Sequence, residues 1–252
     1  MNIGDLTGKT ALVTGASRGI GASIALGLAR AGADIVGSSR AISANDEIAR
    51  EVTALGRKFI PVPVDLSDRA QSLRFTERVL ELVPRVDILI NNAGVTARYP
   101  AADIPIDQWD HVIEVNLNSP FILAQGLGRH MIDNGSGRII FIASLMSFQG
   151  GLRIPPYAAS KHAIVGLVKA LSNEWAALGV NVNAIAPGYI VTDLNEVLRS
   201  DPVRMPEVTS RIPMGRWGVP DDLVGSAIFL AGSGADYISG SVITVDGGWV
   251  AR

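Results

Sequence analysis

The sequence predicts an α/β protein built on a doubly wound, seven-stranded parallel sheet with helices on both faces. Three observations predict it. Short β-branched runs recur along the chain, longer stretches of helical period separate them, and the runs are apolar almost without alternation, as in Ala11-Leu12-Val13 and Ile88-Leu89-Ile90. Strands that must be apolar on both sides belong to a parallel sheet covered twice, and strand–helix alternation is how such a sheet is wound. With 252 residues and 48% hydrophobic composition the chain is long enough for one large buried core, so residues 1–252 are read as a single domain.

The elements follow in order. Strands are expected at Thr10 to Thr14, Asp34 to Ser38, Phe59 to Val64, Asp87 to Ile90, Arg138 to Ala143, Val180 to Ile185 and Ser241 to Val245. A helix opens within Gly15 to Gly21 and continues to about Arg30, and another carries Tyr157 and runs to about Leu178. Between the sixth and seventh strands, residues 191–220 are a polar, partly helical stretch broken by Pro202, Pro206, Pro213 and Pro220. Loops at the carboxyl ends of strands carry the site in such folds, so this insertion is expected to be a substrate lid.

Composition narrows the partners. A net charge of -2, with both signs scattered, offers no footprint for nucleic acid or an anionic membrane. A small-molecule substrate is expected instead. The absence of cysteine removes thiolate catalysis and sulfur-bound metals. Residues Met1 to Lys9 carry no cationic segment leading into an apolar stretch, and no apolar run reaches bilayer length, so a cytoplasmic location is expected. His111, His130 and His162 share no ligand spacing, and no metal is expected.

Directly after the first strand stands Thr14-Gly15-Ala16-Ser17-Arg18-Gly19-Ile20-Gly21. Glycines between a strand and a helix permit a tight turn and close approach of backbone to a pyrophosphate, while the helix N-terminus offers free N–H groups. In this context the turn is the fingerprint of a Rossmann dinucleotide site. The second strand ends Gly37-Ser38-Ser39-Arg40, without the carboxylate that would bond the ribose 2′-hydroxyl of NAD and repel the 2′-phosphate of NADP. Ser39, Arg40 and Arg18 favour NADP(H), with NAD(H) left open if the arginines are merely solvated or stack on adenine.

Tyr157 and Lys161 stand one helical turn apart on one face. A cation near a phenol favours phenolate, so Tyr157 is the expected acid/base and Lys161 the group expected to lower its pKa. Ser144, ending the strand Ile139 to Ala143, is placed to hold a substrate oxygen.

These motifs, with Asp65, Asn91-Asn92-Ala93-Gly94, Asn116, Pro187-Gly188 and Asp246-Gly247-Gly248, resemble the short-chain dehydrogenase/reductase family over essentially the whole chain. The resemblance implies that Tyr157 exchanges the proton, Ser144 orients the carbonyl, Lys161 binds the nicotinamide ribose and Asn116 holds a water of the proton relay. It implies that Asp65, Leu66, Asn92, Ala93 and Gly94 line the adenosine side, while Ile190 and Thr192 contact the carboxamide. Finer similarity points to the sugar-acid branch. Segments such as Asn173-Glu174-Trp175-Ala176 and Arg211-Ile212-Pro213 resemble 2-dehydro-3-deoxy-D-gluconate 5-dehydrogenases, whereas Ile113 to Leu117 and Ser39-Arg40 look more like gluconate 5-dehydrogenases. Both act at C5 of a hexonate. Arg98, Gln149 and Arg153 are expected to bind that substrate. A 3-oxoacyl-thioester reductase of the same family is the alternative, and a catalytically silent dinucleotide sensor is opposed by the complete set Asn116, Ser144, Tyr157, Lys161. The Tyr157 helix is nearly apolar all round, with small residues Ala158, Ala159, Ala163, Gly166 and Ala170, so self-association is expected, and the resemblance suggests a homotetramer. Trp109, Trp175, Trp217 and Trp249 are read as packing residues, the last two near enough in sequence to the insertion and terminus to border a pocket.

Overall fold

The computed structural model describes residues 3–252; residues 1 and 2, part of the expected opening segment, lie outside the described residues. Seven parallel strands form one sheet: β1 (Thr10–Thr14), β2 (Asp34–Ser38), β3 (Phe59–Pro61), β4 (Ile88–Asn91), β5 (Gly137–Ile142), β6 (Val180–Pro187) and β7 (Val242–Val245), in the order β3-β2-β1-β4-β5-β6-β7. The order reverses between β1 and β4, which opens a crevice at their carboxyl ends.

Strand periodicity sorts the core into two halves. Ala11, Val13, Ile88, Ile90, Ile140 and Ile142 face one apolar cluster, which they share with helices α1 (Gly19–Arg30), α2 (Glu47–Ala54) and α9 (Val224–Ala231). Leu12, Leu89, Ile139 and Phe141 face the other, against α3 (Arg69–Leu82), α5 (Ser119–Asp133) and α6 (Pro155–Trp175). Successive side chains leave a strand on opposite sides, so a run apolar at every position buries both sheet faces. The short α4 (Ile106–Ile113) precedes α5.

One strand corrects the expectation. β3 ends at Pro61 rather than Val64, because Pro61 and Pro63 have no N–H to give a ladder. The chain still runs beside β2, with Val62 N–H donating to Gly37 O at 2.9 Å and Val64 N–H to Ser39 O at 3.1 Å. β6 is longer than expected and reaches Pro187. The remaining strand ends and the Arg30 helix end agree within a residue.

The insertion is ordered by packing. It contains α7 (Glu196–Arg199) and α8 (Arg204–Arg211), and a parallel bridge pairs Ile190 with Gly218 across its base. Leu198, Val208, Ile212 and Trp217 join Leu145, Met146, Ile154 and Trp249 in a third apolar cluster, against which Tyr157 and Tyr189 pack. Among the described residues no helix is long and apolar enough to cross a membrane, and no cluster of metal-ligating side chains is found.

Candidate active site

A cleft of about 670 Å³ lies at the carboxyl ends of the strands, within the range of pockets that take whole small molecules and cofactors. Its floor is the glycine turn. Gly15 has φ +66°, and a Cβ on Gly21 would stand 2.2 Å from Gly15 O, so the turn tolerates no side chain there. Arg18 is the N-cap of α1 and no side chain caps that helix, which leaves its first N–H groups directed at the cleft. This cradle fits a pyrophosphate.

Thr14 locks the turn to the next strand. Its Oγ1 accepts the N–H groups of Asn92 at 2.9 Å and Ala93 at 3.0 Å, while Asn92 Nδ2 donates to Thr14 O at 2.8 Å. Gly15, Ser17, Arg18, Gly19, Ile20, Gly21, Ser39, Arg40, Asp65, Leu66, Asn92, Ala93 and Gly94 all border the cleft, as do Pro187, Gly188, Ile190 and Thr192 on the far side. Asp65 Oδ1 accepts the hydroxyl of Ser67 at 2.7 Å and its N–H at 2.9 Å, and these bonds hold its carboxyl below the usual range. Arg18 reaches across to Asp193 at 3.2 Å, an exposed pair joining the turn to the insertion. Arg40 is exposed, and its charge acts on Asp65.

Ser144, Tyr157 and Lys161 come together in the same cleft. The sheet delivers Ser144 just beyond β5, where its Oγ accepts Met146 N–H at 3.1 Å and lies within hydrogen-bonding reach of the Tyr157 phenol. α6 delivers Tyr157 and Lys161, and Ser147 Oγ pins that helix by donating to Lys161 O at 2.6 Å. Lys161 Nζ donates to Ile142 O at 2.7 Å and lies 5.6 Å from the Tyr157 ring centroid. Lys161 is 5% exposed, and burial lowers the pKa of its ammonium to about 8. The phenol is shifted upward, not downward as the sequence led us to expect: burial dominates, and the Ser144 hydroxyl and the Arg98 charge offset it in part. Loss of hydration penalises the phenolate, while Lys161 directs one of its three N–H groups to a strand carbonyl.

Asn116 differs from its companions. It is 1% exposed and does not border the cleft. Its Oδ1 accepts Val95 N–H at 2.8 Å, and its Nδ2 donates to Val95 O at 2.9 Å and Ser160 Oγ at 3.2 Å. The side chain is a clamp between the β4 loop and α6. It sits in a π-helical turn, Glu114–Asn118, a local widening often found at functional sites.

The expected substrate residues are farther out. Arg98, Gln149 and Arg153 are not among the residues bordering the cleft. Arg98 is exposed but close enough for its charge to act on both Tyr157 and Tyr189. Arg153 has φ +61° and its carbonyl accepts Tyr99 N–H at 3.0 Å. Conversely, Val95 and Thr96 border the cleft with nothing in their local sequence to mark them, and so does His111, which the sequence marks only as lacking ligand spacing. Trp217 and Trp249 are 7% and 5% exposed and flank Tyr189, with ring centroids 5.2 and 4.8 Å away.

Residues 9–203 match the family model described as short chain dehydrogenase. The chain belongs to that family. It is an NAD(P)-dependent oxidoreductase acting on CH–OH groups. It is 55% identical to a 2-dehydro-3-deoxy-D-gluconate 5-dehydrogenase of Pseudoalteromonas atlantica, over 98% of each chain. It is 37% identical to a gluconate 5-dehydrogenase of Gluconobacter oxydans, over 96% of this chain and 95% of that one. Among solved structures it is similar to a gluconate 5-dehydrogenase of Burkholderia cenocepacia in complex with NADP and tartrate, with TM-score 0.95 and 39% identity, covering 100% of this chain and 98% of that one.

Proposed function

We propose that this chain interconverts the secondary alcohol and ketone at C5 of a hexonate sugar acid, gluconate or 2-dehydro-3-deoxy-gluconate, using NADP(H). The observation that carries the reading is the meeting of Ser144, Tyr157 and Lys161 at one end of a cleft whose other end is the uncapped glycine turn with Arg18 and Arg40 beside it. The 55% identity to a 2-dehydro-3-deoxy-D-gluconate dehydrogenase supports the substrate class, and the NADP in the Burkholderia cenocepacia structure supports the cofactor.

In the oxidative direction Ser144 donates a hydrogen bond to the substrate oxygen and Tyr157, as phenolate, takes the hydroxyl proton. A nicotinamide held beside Pro187, Gly188, Ile190 and Thr192 would supply the hydride acceptor for the same carbon, which balances oxidation of the alcohol to the ketone. Lys161 holds the ribose side and adds a positive charge that favours phenolate once the site is occupied. Asn116 keeps the β4 loop and α6 in register, and its π turn is the place for the expected relay water. Gly15, Ser17, Gly19, Ile20 and Gly21 bind the pyrophosphate side; Ser39 and Arg40, with Arg18, take the 2′-phosphate; Asp65, Leu66, Asn92, Ala93 and Gly94 line the adenosine side; Pro187, Gly188, Ile190 and Thr192 border the nicotinamide. Arg98 is the best placed of the three expected substrate residues.

The chain acts as a single catalytic domain with 191–220 as its lid, in the cytoplasm and as a homotetramer. The outer side of α6, where Ala159, Gly166 and Ala170 are exposed, supports the self-association. The deciding experiment is initial-rate turnover of gluconate, 2-dehydro-3-deoxy-gluconate, neutral polyols and an acetoacetyl thioester, each with NADP(H) and NAD(H). Selective turnover of a hexonate is expected, and Arg40→Asp is expected to lower the NADP:NAD preference by about tenfold or more. Turnover confined to the thioester would replace the reading with an acyl-thioester reductase, and an unaltered cofactor ratio would remove Arg40 from phosphate binding.

A further inference from the structure

Three arginines of the insertion, Arg199, Arg204 and Arg211, are left over by the site described above, and the last two share one helix. α8 carries Arg204 and Arg211 on either side of Val208, four residues before it and three after. Val208 is buried in the third apolar cluster, so both arginines leave the helix on the side that packs toward it. Arg211 sits over the ring of Trp249, its guanidinium carbon 4.3 Å from the ring centroid. Trp249 in turn packs edge-on against Tyr189, which adjoins the cleft residue Ile190. Tyr157 borders the same cluster. The helix is fixed there by Trp217 Nε1, which donates to Thr209 Oγ1 at 2.9 Å.

Charge pairing separates these two arginines from Arg216 and Arg18. Arg216 is held by both oxygens of Asp222, at 2.7 and 2.9 Å, and Arg18 pairs with Asp193. Neither Arg204 nor Arg211 is in an ion pair among the described residues. Asp201 senses Arg204, but its carboxylate is taken up by the N–H groups of Val203 and Arg204. The fields of Arg204 and Arg211 both reach the Tyr189 phenol. A guanidinium stacked on an aromatic face keeps its planar N–H edge free, which is the edge a carboxylate binds bidentately.

We infer that Arg211, presented by Trp249 and supported by Arg204, receives the carboxylate of the substrate and sets the preference for sugar acids over neutral polyols. This rests on the sugar-acid reading and specifies its recognition group. α8 thereby becomes the element of the insertion that reads charge, while Tyr157 and Ser144 read the reacting oxygen.

The test compares a hexonate with its uncharged C1 amide in the wild type, Arg211→Met, Arg211→Lys and Arg204→Met, with NADPH binding followed by fluorescence as the control for folding. The wild type should favour the acid. Arg211→Met should raise KM for the hexonate by roughly tenfold to a hundredfold, the effect of losing a charge-assisted pair, and leave KM for the amide, kcat and NADPH affinity within about twofold. Arg204→Met should do the same to a lesser degree. A normal hexonate KM in an Arg211→Met protein that binds NADPH would overturn the inference and leave the sugar-acid reading intact. If Arg211→Met fails to bind NADPH, Arg211→Lys decides: it keeps charge without the flat fork, so a raised hexonate KM supports the inference and an unchanged one overturns it. A wild type that treats acid and amide alike overturns both, and that outcome is read without any variant.

Discussion

The cofactor side of the cleft and the packed insertion beside it are assembled from different kinds of sequence. The cofactor wall is made by one run of the chain, Gly15 to Gly21, together with the ends of β2 and β4, and Thr14 ties the turn to the end of β4 with side-chain-to-backbone bonds. On the insertion side, outside the residues that border the cleft, α8, Tyr189, Trp217 and Trp249 form a second wall, and they meet only because the third apolar cluster gathers segments distant in the chain. Backbone geometry dictates the first wall, whereas side-chain packing dictates the second. A dinucleotide presents the same pyrophosphate to every enzyme that uses it, while a substrate is distinguished by its periphery. The insertion is therefore the part that can change without disturbing the sheet.

Three perturbations test whether the walls are separable. The largest effect belongs to the point where they join. Tyr157→Phe should lower kcat by about 10²- to 10⁴-fold, the range for losing a positioned acid/base, while NADPH affinity measured by fluorescence stays close to wild type. A retained kcat would take the proton transfer away from Tyr157.

Next is Lys161→Met. Burial depresses the ammonium to about 8 from an ordinary 10.5. The unfolded chain therefore binds more protons than the folded one between these values, so this group costs stability below about pH 8 and the cost fades as pH rises toward 10.5. The difference corresponds to at most roughly 3 kcal/mol, reduced in the variant by the donor lost to Ile142 O. We expect the ligand-free variant to be inactive yet more stable by about 1 kcal/mol or more at pH 7, and that gain to shrink as pH rises above 8. Chemical denaturation across this pH range checks it, and a variant less stable at pH 7 would contradict the cost assigned to the buried charge.

The smallest effect lies just past the insertion, where Asp222 holds Arg216. Arg216 and the backbone N–H of Val219 hold Asp222 down to about 2. A depressed carboxyl contributes stability that is present above its unfolded value near 4 and lost as pH falls through about 2. The pair is largely solvent-screened on the arginine side, so Asp222→Ala should cost only about 1 kcal/mol, and it should raise protease sensitivity within 191–220 while leaving NADPH binding unchanged. Weakened NADPH binding would mean that the two walls fold as one.

What was legible in the sequence follows the same division. The parallel sheet, its cover of helices on both faces and the glycine turn could be read because each depends on neighbours in the chain: alternate faces of a strand, glycines between strand and helix, a tyrosine and lysine one turn apart. Pro61 and Pro63 shortened β3 by a local rule that strand patterning passed over. Asn116 was found as a residue, but not as a clamp, since its partners Val95 and Ser160 come from separate elements. Arg98, Gln149 and Arg153 were chosen as polar residues on loops after strands, and being on the right loop does not fix the direction of a side chain.

By itself, then, the sequence determined the architecture, the dinucleotide turn and the pairing of Tyr157 with Lys161, because these are set by periodicity and short-range sterics. Only the tertiary structure decided that burial raises the phenol and lowers the ammonium, that Asn116 is spent on holding the frame, and that Arg211 rests on Trp249 beside Tyr189. Desolvation and aromatic stacking depend on which distant residues close over a group, and no spacing along the chain encodes that.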